Sequence, residues 1–479
     1  MQVVTIGCVS APPIPLRSQA LGAIDAAGVP VPRYERAALV PRILHLGVGG
    51  FHRAHLALYI HELAEAGSDW GIRGLGRLEG DRKMERVLAS QDSLYTLIER
   101  DSDGSRPQVV GSIIGYALAV DDARAFAQRI ADPVVEILSM TITEGGYGME
   151  QPNPTIEAIV DGLDARRLGG GKPLTVLSCD NLPGNGKVAR AAVMAACEGR
   201  GPGLARYLET ECTFPNSMVD RITPQTTDAD RAWLRDTVGI DDGWPVVAEP
   251  FRQWVIEDRF AAGRPAFEDV GVLVADNVHE WELYKLRMLN ATHSCMAYLM
   301  ALHGVVYVDE AMAIPAVRRY LERFLAAEAI PTLAEIPGHP AAAYGRTVLG
   351  RYENTGVRDQ IARLCIDGTA KFPTFLIPTI EGQIARDGPL ECAALALAGW
   401  ARYLATVPAS DRAYDASGDR SAALAARALE DPLAFLELVD VFTPRVGGSV
   451  RFREAFVGAA DSLAARGPLG AIQDLLGVD

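Results

Sequence analysis

The pattern of apolar and polar residues divides the chain into two parts near residue 278. In the first part, short apolar runs typical of buried strands alternate with stretches of helical periodicity. Strands are predicted at 42–46, 71–76, 95–99, 109–118, 134–143 and 173–178, and helices at 53–66, 81–90 and 121–131. Because strands alternate with helices, this part is predicted to form a mostly parallel sheet with helices on both faces.

Beyond residue 278 the strand pattern stops, and stretches rich in Ala and Leu continue to the end of the chain. Helices are predicted there at 282–302, 315–327, 356–366, 391–405 and 421–429. The sequence thus indicates an α/β domain over 38–278 and a mainly α-helical domain over 279–479. The first 37 residues are rich in proline and are predicted to form an extended arm. A cleft between two domains is the expected ligand site.

A glycine turn, residues 47–50, follows the first predicted strand. Gly47, Gly49 and Gly50 precede Phe51 and the predicted helix. Glycines let the backbone approach a phosphate closely, and a helix N-terminus presents N–H groups to an anion. His52 takes the place of the third glycine in the GxGxxG fingerprint, so the match to a dinucleotide-binding turn is partial.

Two polar turns, 143–147 and 178–186, follow later predicted strands. In α/β sheets, ligands bind beyond the carboxyl ends of the strands. Asn181 is therefore a candidate hydrogen-bond donor to a substrate. Ordinary turn chemistry would also explain the Gly, Asn and Pro content of these segments.

Three polar residues interrupt the apolar stripe of the predicted helix 282–302. At 3.6 residues per turn, Lys285, Asn290 and His293 fall within an arc of roughly 140°. A lysine, an amide and an imidazole on one face can take a proton, stabilise an alkoxide and hold a hydroxyl. A core helix with a snorkelling lysine would show the same pattern, so the triple alone leaves both interpretations open.

Composition and charge narrow the classes of partner. The net charge of −15 and the absence of a basic cluster argue against nucleic acids and anionic membranes as partners. The seven cysteines form no CxxC pair, and no Cys/His/Glu cluster has the spacing of a catalytic zinc site. No apolar run reaches the ~18 residues of a transmembrane helix. The sequence predicts a cytoplasmic, metal-free protein.

Seven sequence blocks, in order, resemble the polyol-specific long-chain dehydrogenase/reductase family. That family includes mannitol 2-dehydrogenase, arabinitol dehydrogenase and the fructuronate reductases. The blocks are HLGVGGFHRAH (45–55), TITEGGY (141–147), SCDNLP (178–183), FPNSMVDRITP (214–224), EPFRQWVIED (249–258), KLRMLNATH (285–293) and DGTAKFP (367–373). One block is weak support, whereas seven in sequence are highly specific.

The resemblance implies a Rossmann-type cofactor domain, a helical substrate domain, no metal and reversible hydride transfer between an acyclic polyol and NAD. It implies that Lys285 is the general base, that Asn181 and Asn290 donate to the reacting oxygen, and that His293 orients the substrate. The remaining matches are the substrate contacts Asp220, Arg363 and Lys371 and the proton-path acids Glu144 and Glu282.

The cofactor region departs from the family pattern. Members that prefer NAD carry an acidic pair after the second strand, where this chain has Gly80 and Asp81. A carboxylate there would bind the adenosine ribose and repel a 2′-phosphate, whereas the nearby Arg77 could bind one. The sequence therefore predicts NAD as the cofactor and leaves NADP possible.

Two other functions stay open. A hexuronate reductase would need a cation for the substrate carboxylate, and Arg252 is the candidate. A nucleotide-binding protein without catalytic activity would be expected to lack Lys285, Asn181 or Asn290, and all three are present. The preferred polyol is left open, and a monomer or weak homo-oligomer is predicted.

Overall fold

The computed structural model describes residues 12–120, 122–148, 153–415 and 417–478, except for the side chain of Glu144. Two compact units make up the chain, a first unit Met1–His279 and a second unit Glu280–Asp479.

The first unit contains both strands and helices. Its strands are β1 Ile14–Pro15, β2 Val40–Leu46, β3 Trp70–Gly76, β4 Tyr95–Asp101, β5 Gly104–Val110, β6 Ile113–Leu118, β7 Ile137–Met140, β8 Leu174–Ser178, β9 Cys212–Thr213, β10 Ser217–Asp220, β11 Ile240–Asp241, β12 Val246–Ala248, β13 Gln253–Glu257 and β14 Leu273–Ala275. Its α-helices are α1 Leu21–Ala26, α2 Gly50–Ala54, α3 Leu56–Glu65, α4 Asp81–Ser90, α5 Ala123–Ala131, α6 Pro154–Leu168, α7 Asn185–Cys197, α8 Pro202–Thr210 and α9 Asp228–Trp233.

A six-stranded parallel sheet forms the centre of this unit, in the order β6-β3-β2-β7-β8-β9. Numbered along the chain within the sheet, this is the order 3-2-1-4-5-6 of the doubly wound dinucleotide-binding fold. Leu46 pairs with both Leu75 and Met140, and Met140 pairs with Ser178. The carboxyl ends of β2, β3, β7 and β8 are therefore level, which brings the glycine turn and both polar turns to one edge of the sheet.

The apolar runs of the sequence explain why this sheet is covered on both faces. Successive side chains of a strand point to opposite faces. Ile43 packs into one buried core cluster and Leu44 into another, and Ile137 and Leu138 divide in the same way. Near-continuous apolar strands are typical of parallel sheets covered by helices on both sides.

Two strand predictions in this unit were wrong in extent. The predicted strand 109–118 is broken, because Gly111 lies against the N-terminal segment and its carbonyl accepts a bond from Arg36 Nε over 3.0 Å. The halves join different sheets, β5 in the sheet β12-β4-β5 and β6 in the central sheet. The predicted strand 134–143 is only β7, because the N–H groups of Ile142 and Thr143 bond to the Asp180 carboxylate.

The predicted extended arm spans residues 1–37, of which residues 1–11 lie outside the described residues. Residues 12–37 do not form such an arm. Strand β1 pairs in parallel with β11, and α1 follows it. Leu16, Ile24 and Val29 are buried in a core cluster of the first unit. The prolines obscured these apolar positions, yet proline is tolerated at strand edges and turns, so the segment can still pack.

The second unit is helical. Its α-helices are α10 His279–Tyr284, α11 Ala291–His303, α12 Val308–Met312, α13 Pro315–Arg323, α14 Ala341–Tyr352, α15 Ile361–Leu364, α16 Gly368–Phe375, α17 Ile377–Ala385, α18 Glu391–Thr406, α19 Gly418–Arg427, α20 Pro444–Gly447 and α21 Val450–Leu476. Helix α11 packs against α15, α16, α18 and α21. Its first ten residues are all buried, as expected of a helix that is surrounded by other helices.

Two helix predictions in the second unit need correction. The predicted helix 356–366 is only α15, because Asp359 and Ile361 form backbone hydrogen bonds with residues 308 and 306 instead of continuing a helix. The predicted helix 315–327 is α13 followed by a π-helical turn, Phe324–Ala329.

Candidate active site

The glycine turn is closed against a neighbouring strand end. Gly47 has a φ of +90°, and a Cβ on it would lie 2.2 Å from the carbonyl oxygen of Thr141. A side chain there would strain the backbone and overlap the neighbouring chain. The Thr141 hydroxyl donates to the Gly47 carbonyl over 2.7 Å, and α2 begins at Gly50. A turn with glycine at three of its four positions, beside a helix start, fits the diphosphate of a dinucleotide.

Three buried histidines, His45, His52 and His55, lie in and beside this turn. The His45 ring is held by hydrogen bonds with Ser139 Oγ at 2.8 Å and Thr141 Oγ1 at 3.0 Å. The His52 ring stacks on it at 3.5 Å, and neither of its nitrogens has a hydrogen-bond partner in the described structure. Burial lowers the pKa of His45 and of His55 to about 3, and that of His52 well below its ordinary value. The cluster is therefore neutral, and the sequence had marked only His52, as the departure from the glycine fingerprint.

Asp81 shapes the loop after β3. Its Oδ2 accepts the backbone N–H groups of Arg77 and Leu78, each over 2.8 Å. The Arg77 guanidinium lies over the Phe126 ring at 5.3 Å. Asp81 stays a predicted ribose ligand, and the structure adds a second task, the closure of the loop, which the sequence did not predict.

A buried carboxylate joins the two polar turns at the strand ends. Asp180 accepts the N–H groups of Ile142 at 3.1 Å and Thr143 at 2.8 Å, and the Tyr147 hydroxyl at 2.6 Å. Burial raises the pKa of Asp180, and these three donors act against that shift. Asn181 is the next residue and is exposed. Asp180, which the sequence analysis did not single out, thus fixes the turn that carries the predicted donor.

Asp220 and Glu144 are the two remaining site residues that were predicted in the first unit. Asp220 ends β10 and is buried. The Asn185 amide donates to the carbonyls of Ser178 at 3.1 Å and Ser217 at 2.8 Å, which ties the start of β10 to the end of β8. The side chain of Glu144 lies outside the described residues, so its part in a proton path stays a prediction.

The predicted helix 282–302 contains one wider turn. Between α10 and α11, residues Lys285–Asn290 form a π-helical turn. In a regular α-helix, residues five apart are rotated by roughly 140° about the axis, whereas the wider i→i+5 turn of a π-helix reduces that rotation. The expectation of a regular helix was therefore wrong at this turn. The π turn brings Lys285 and Asn290 onto one face more closely than an α-helix would.

The polar groups of this face are buried. Lys285 is 9% exposed and His293 8% exposed, and Glu282, one turn before the lysine, is buried as well. Asn290 Oδ1 and His293 Nε2 have no hydrogen-bond partner among the described residues. Because an unsatisfied buried polar group costs roughly 1–3 kcal/mol, such atoms are typical of sites completed by a ligand.

Two predicted cationic residues lie near His293. Asp359 accepts two hydrogen bonds from the Arg363 guanidinium, one of them over 2.7 Å from Nε. Lys371 Nζ donates to the Leu364 carbonyl over 3.2 Å. Burial lowers the pKa of His293 to about 3, Asp359 opposes this shift, and Arg363 and Lys371 add to it. The sequence missed Asp359, although its position four residues before Arg363 is a common ion-pair spacing.

Across the described ranges, no group of three or more His, Cys, Asp or Glu side chains could hold a metal ion, and a metal-free reaction stays a prediction. No helix in the same part of the chain has both the length and the hydropathy to cross a bilayer.

Two family models match the chain in succession. The mannitol dehydrogenase Rossmann domain matches residues 41–269, and the mannitol dehydrogenase C-terminal domain matches residues 277–464. Mannitol 2-dehydrogenase of Phaeosphaeria nodorum is 40% identical over 461 residues, which cover 91% of this chain and 81% of that protein. The chain belongs to the mannitol dehydrogenase family.

Solved structures of similar proteins share the fold of this family member. Mannitol 2-dehydrogenase of Pseudomonas fluorescens, in a ternary complex with NAD and D-mannitol, is 38% identical with a TM-score of 0.86, covering 97% of this chain and 99% of that one. A substrate-free D-sorbitol dehydrogenase is 33% identical with a TM-score of 0.86, covering 95% and 99%. The predicted fold, a Rossmann-type α/β domain followed by a mainly helical domain, is confirmed.

Proposed function

We propose that this chain catalyses the reversible, NAD-dependent oxidation of a secondary hydroxyl of an acyclic polyol to the ketose. The similarity of this chain to the mannitol 2-dehydrogenases of Phaeosphaeria nodorum and Pseudomonas fluorescens supports this proposal. The observation that carries it is the polar face of the second unit, where buried Lys285 shares a π turn with Asn290 and where Asn290 Oδ1 and His293 Nε2 have no described partner.

Residues of the π turn are proposed to take the hydroxyl proton and to stabilise the reacting oxygen. When bound, the nicotinamide cofactor supplies the hydride acceptor. Lys285, once neutral, takes the hydroxyl proton at Nζ as general base. The Asn290 Nδ2 group donates to the oxygen on which negative charge develops, where a preorganised donor contributes most to the rate. Its Oδ1, which has no described partner, is left to accept a bond from a substrate hydroxyl. Asn181 is the second proposed donor, by resemblance to the family.

His293 orients the substrate instead of acting as the base. Burial lowers its pKa to about 3, so its imidazole is neutral at neutral pH and a weak proton acceptor. A general base is most effective when its pKa lies near the working pH, which disfavours His293 in that role. A neutral ring still offers one donor and one acceptor nitrogen to a hydroxyl pair.

The remaining hydroxyls of a polyol need partners, because a buried hydroxyl left unbonded is costly. Asp220, Arg363 and Lys371 are proposed for these contacts. Glu282, buried one turn before Lys285, and Glu144 are proposed for proton exchange with solvent.

The first unit is proposed to bind the cofactor and the second to bind the substrate. The glycine turn fits the diphosphate, and Asp81 is proposed to favour NAD through its charge. The scattered cysteines support a reducing, cytoplasmic location. A monomer or weak homo-oligomer is proposed, which light scattering would test.

A hexuronate reductase is the second candidate, and Arg252 bears on it. Its Nη2 donates to Glu62 over 2.5 Å, and its guanidinium lies over the Tyr59 ring at 4.5 Å. Because a carboxylate already neutralises this arginine, it is a weaker partner for a substrate carboxylate than the sequence alone suggested.

The test is a panel of D-mannitol, sorbitol, arabinitol, their ketoses and fructuronate, followed by reduced-nicotinamide absorbance with NAD and NADP. Polyol oxidation with NAD is expected. Turnover of fructuronate alone would favour the hexuronate reductase, and cofactor binding without turnover would favour an inactive protein. Lys285→Ala, purified in parallel, controls for contaminating dehydrogenases. Activity that survives a chelator would support the metal-free assignment, and activity restored only by zinc would overturn it.

A further inference from the structure

The π turn leaves backbone carbonyls that accept from side chains. The widened turn shifts the ladder of backbone hydrogen bonds, and the Met288 carbonyl accepts the N–H of Ala291. Side-chain hydroxyls add further bonds to this ladder. Thr292 Oγ1 donates to the Met288 carbonyl over 2.5 Å, and Tyr352 Oη donates to the Leu289 carbonyl over 2.7 Å. The two hydroxyl oxygens are themselves 2.9 Å apart. Two hydroxyls, each with one hydrogen to donate, thus serve two carbonyls.

Tyr352 also contacts His293. Its ring stacks on the imidazole with a centroid distance of 4.2 Å and an angle of 23° between the planes. Tyr352 is the last residue of α14 and is 2% exposed, so it is held by the core of the second unit. One rigid side chain therefore contacts both the backbone of the π turn and the ring that follows it.

We propose that Tyr352, assisted by Thr292, is a positioning residue for polyol oxidation. It stabilises the π turn through the Leu289 carbonyl and sets the plane of the His293 ring by stacking. It acts through Lys285, Asn290 and His293 and does not itself bind the substrate. This inference rests on the function proposed above.

The geometry of the π turn explains why it needs stabilising contacts. The i→i+5 turn is rare, and relaxation to an α-helix would rotate Lys285 relative to Asn290 by about 100° for each residue of register lost. A displacement of about 1 Å in a catalytic group can lower the rate roughly a hundredfold. Contacts that hold the widened turn therefore act on turnover more than on ground-state binding.

The test removes the hydroxyl and keeps the ring. Tyr352→Phe is expected to lower kcat by roughly 10–100-fold, while KM for the polyol and Kd for NAD change by about twofold at most. The nearly isosteric Thr292→Val should give a smaller fall of the same kind. Tyr352→Leu, which also removes the stack, should give the largest fall.

Tyr320→Phe is the matched control. Tyr320 is fully buried in the same unit, and its hydroxyl donates to the Cys392 carbonyl over 2.8 Å. Both Tyr→Phe variants lose one buried hydroxyl–carbonyl bond and should lose similar stability, but only Tyr352→Phe should lose kcat. A polyol deuterated at the reacting carbon should show a larger isotope effect with Tyr352→Phe than with wild type, because hydride transfer becomes slower.

Equal kcat in Tyr352→Phe and Tyr320→Phe would overturn the proposal, as would a lowered kcat of Tyr352→Phe without a primary isotope effect. Should Tyr352→Phe fail to fold, Thr292→Val carries the same comparison. The proposed function is judged separately. A wild-type enzyme that oxidises polyols and an inactive Lys285→Ala would support it whatever Tyr352→Phe shows.

Discussion

The glycine turn of the first unit and the π turn of the second both shape backbone for a ligand, by opposite means. Gly47 has a φ of +90° and no room for a Cβ, so the conformation is available to glycine almost alone. The π turn Lys285–Asn290 is built from Lys, Leu, Arg, Met, Leu and Asn, most of which are good α-helix formers.

The difference shows where each conformation is encoded. In the glycine turn, glycine is almost the only residue that can adopt the backbone conformation, so the sequence pattern predicts it. In the π turn the supporting hydroxyls come from Thr292, just beyond the turn, and from Tyr352, on another helix. Tertiary contacts therefore stabilise the π turn, and the local sequence pattern does not predict it.

The largest expected effect comes from the π turn. Asn290→Ala should lower kcat by roughly 10²–10³-fold, because a donor to the developing alkoxide is lost, while Kd for NAD stays near wild type. Steady-state kinetics and cofactor titration check both values. Asn277→Ala, an exposed position, is the control. Weakened NAD binding in Asn290→Ala would contradict the assignment of cofactor binding to the glycine turn and of alkoxide stabilisation to the π turn.

Gly47→Ala should have the converse effect. A Cβ would lie 2.2 Å from the Thr141 carbonyl, so the turn must shift or strain. With strain of about 1–3 kcal/mol, Kd for NAD is expected to rise up to roughly a hundredfold. Gly80→Ala, where a Cβ meets nothing within 4 Å, should bind NAD normally. Equal binding by both variants would show that the turn does not hold the cofactor.

Acid should act on the surroundings of the glycine turn. Buried His52 is neutral when folded because its pKa is well below the ordinary 6.5, so only the unfolded chain gains its proton as pH falls below about 6.5. Stability is therefore lost on acidification below about pH 6.5. In denaturant unfolding at pH 7.5 and 4.5, His52→Phe should reduce this loss, and the exposed His303→Phe should not. The same acid loss in both variants would exclude His52 as its source.

The smallest effect concerns cofactor choice. Asp81→Asn keeps an oxygen that can accept the Arg77 and Leu78 N–H groups, now at 2.8 Å, and removes the charge. The ratio of kcat/KM with NADP to that with NAD should rise about tenfold, since repulsion of a 2′-phosphate is lost. An unchanged ratio would show that Asp81 is not the ribose contact, and Glu79 would be the next candidate.

Sequence patterns predicted what local chemistry dictates. The strand, glycine turn and helix at 42–66 were found because glycine and apolar periodicity are local signals, although the helix breaks at His55. The family prediction was confirmed because it rests on seven ordered blocks.

What the sequence did not predict depends on distant residues. The break in strand 109–118 comes from Arg36, 75 positions away from Gly111. The packing of residues 12–37 depends on partners such as β11. Asp180 has its role only after folding brings donors to it, so no local pattern marks it, whereas Asp359 is marked only by its spacing to Arg363.

The central claim, that Lys285 is the base on the π turn, is tested most directly by the pH dependence of kcat/KM for polyol oxidation in wild type, Lys285→Ala and His293→Asn. The wild type should gain activity with rising pH through one ionisation. Lys285→Ala should lack that ionisation, lose roughly 10²–10⁴-fold in rate and recover partly with added small amines. His293→Asn should keep the ionisation, because burial places the pKa of His293 at about 3. Lys285→Ala with the wild-type ionisation and near wild-type rate would contradict the account.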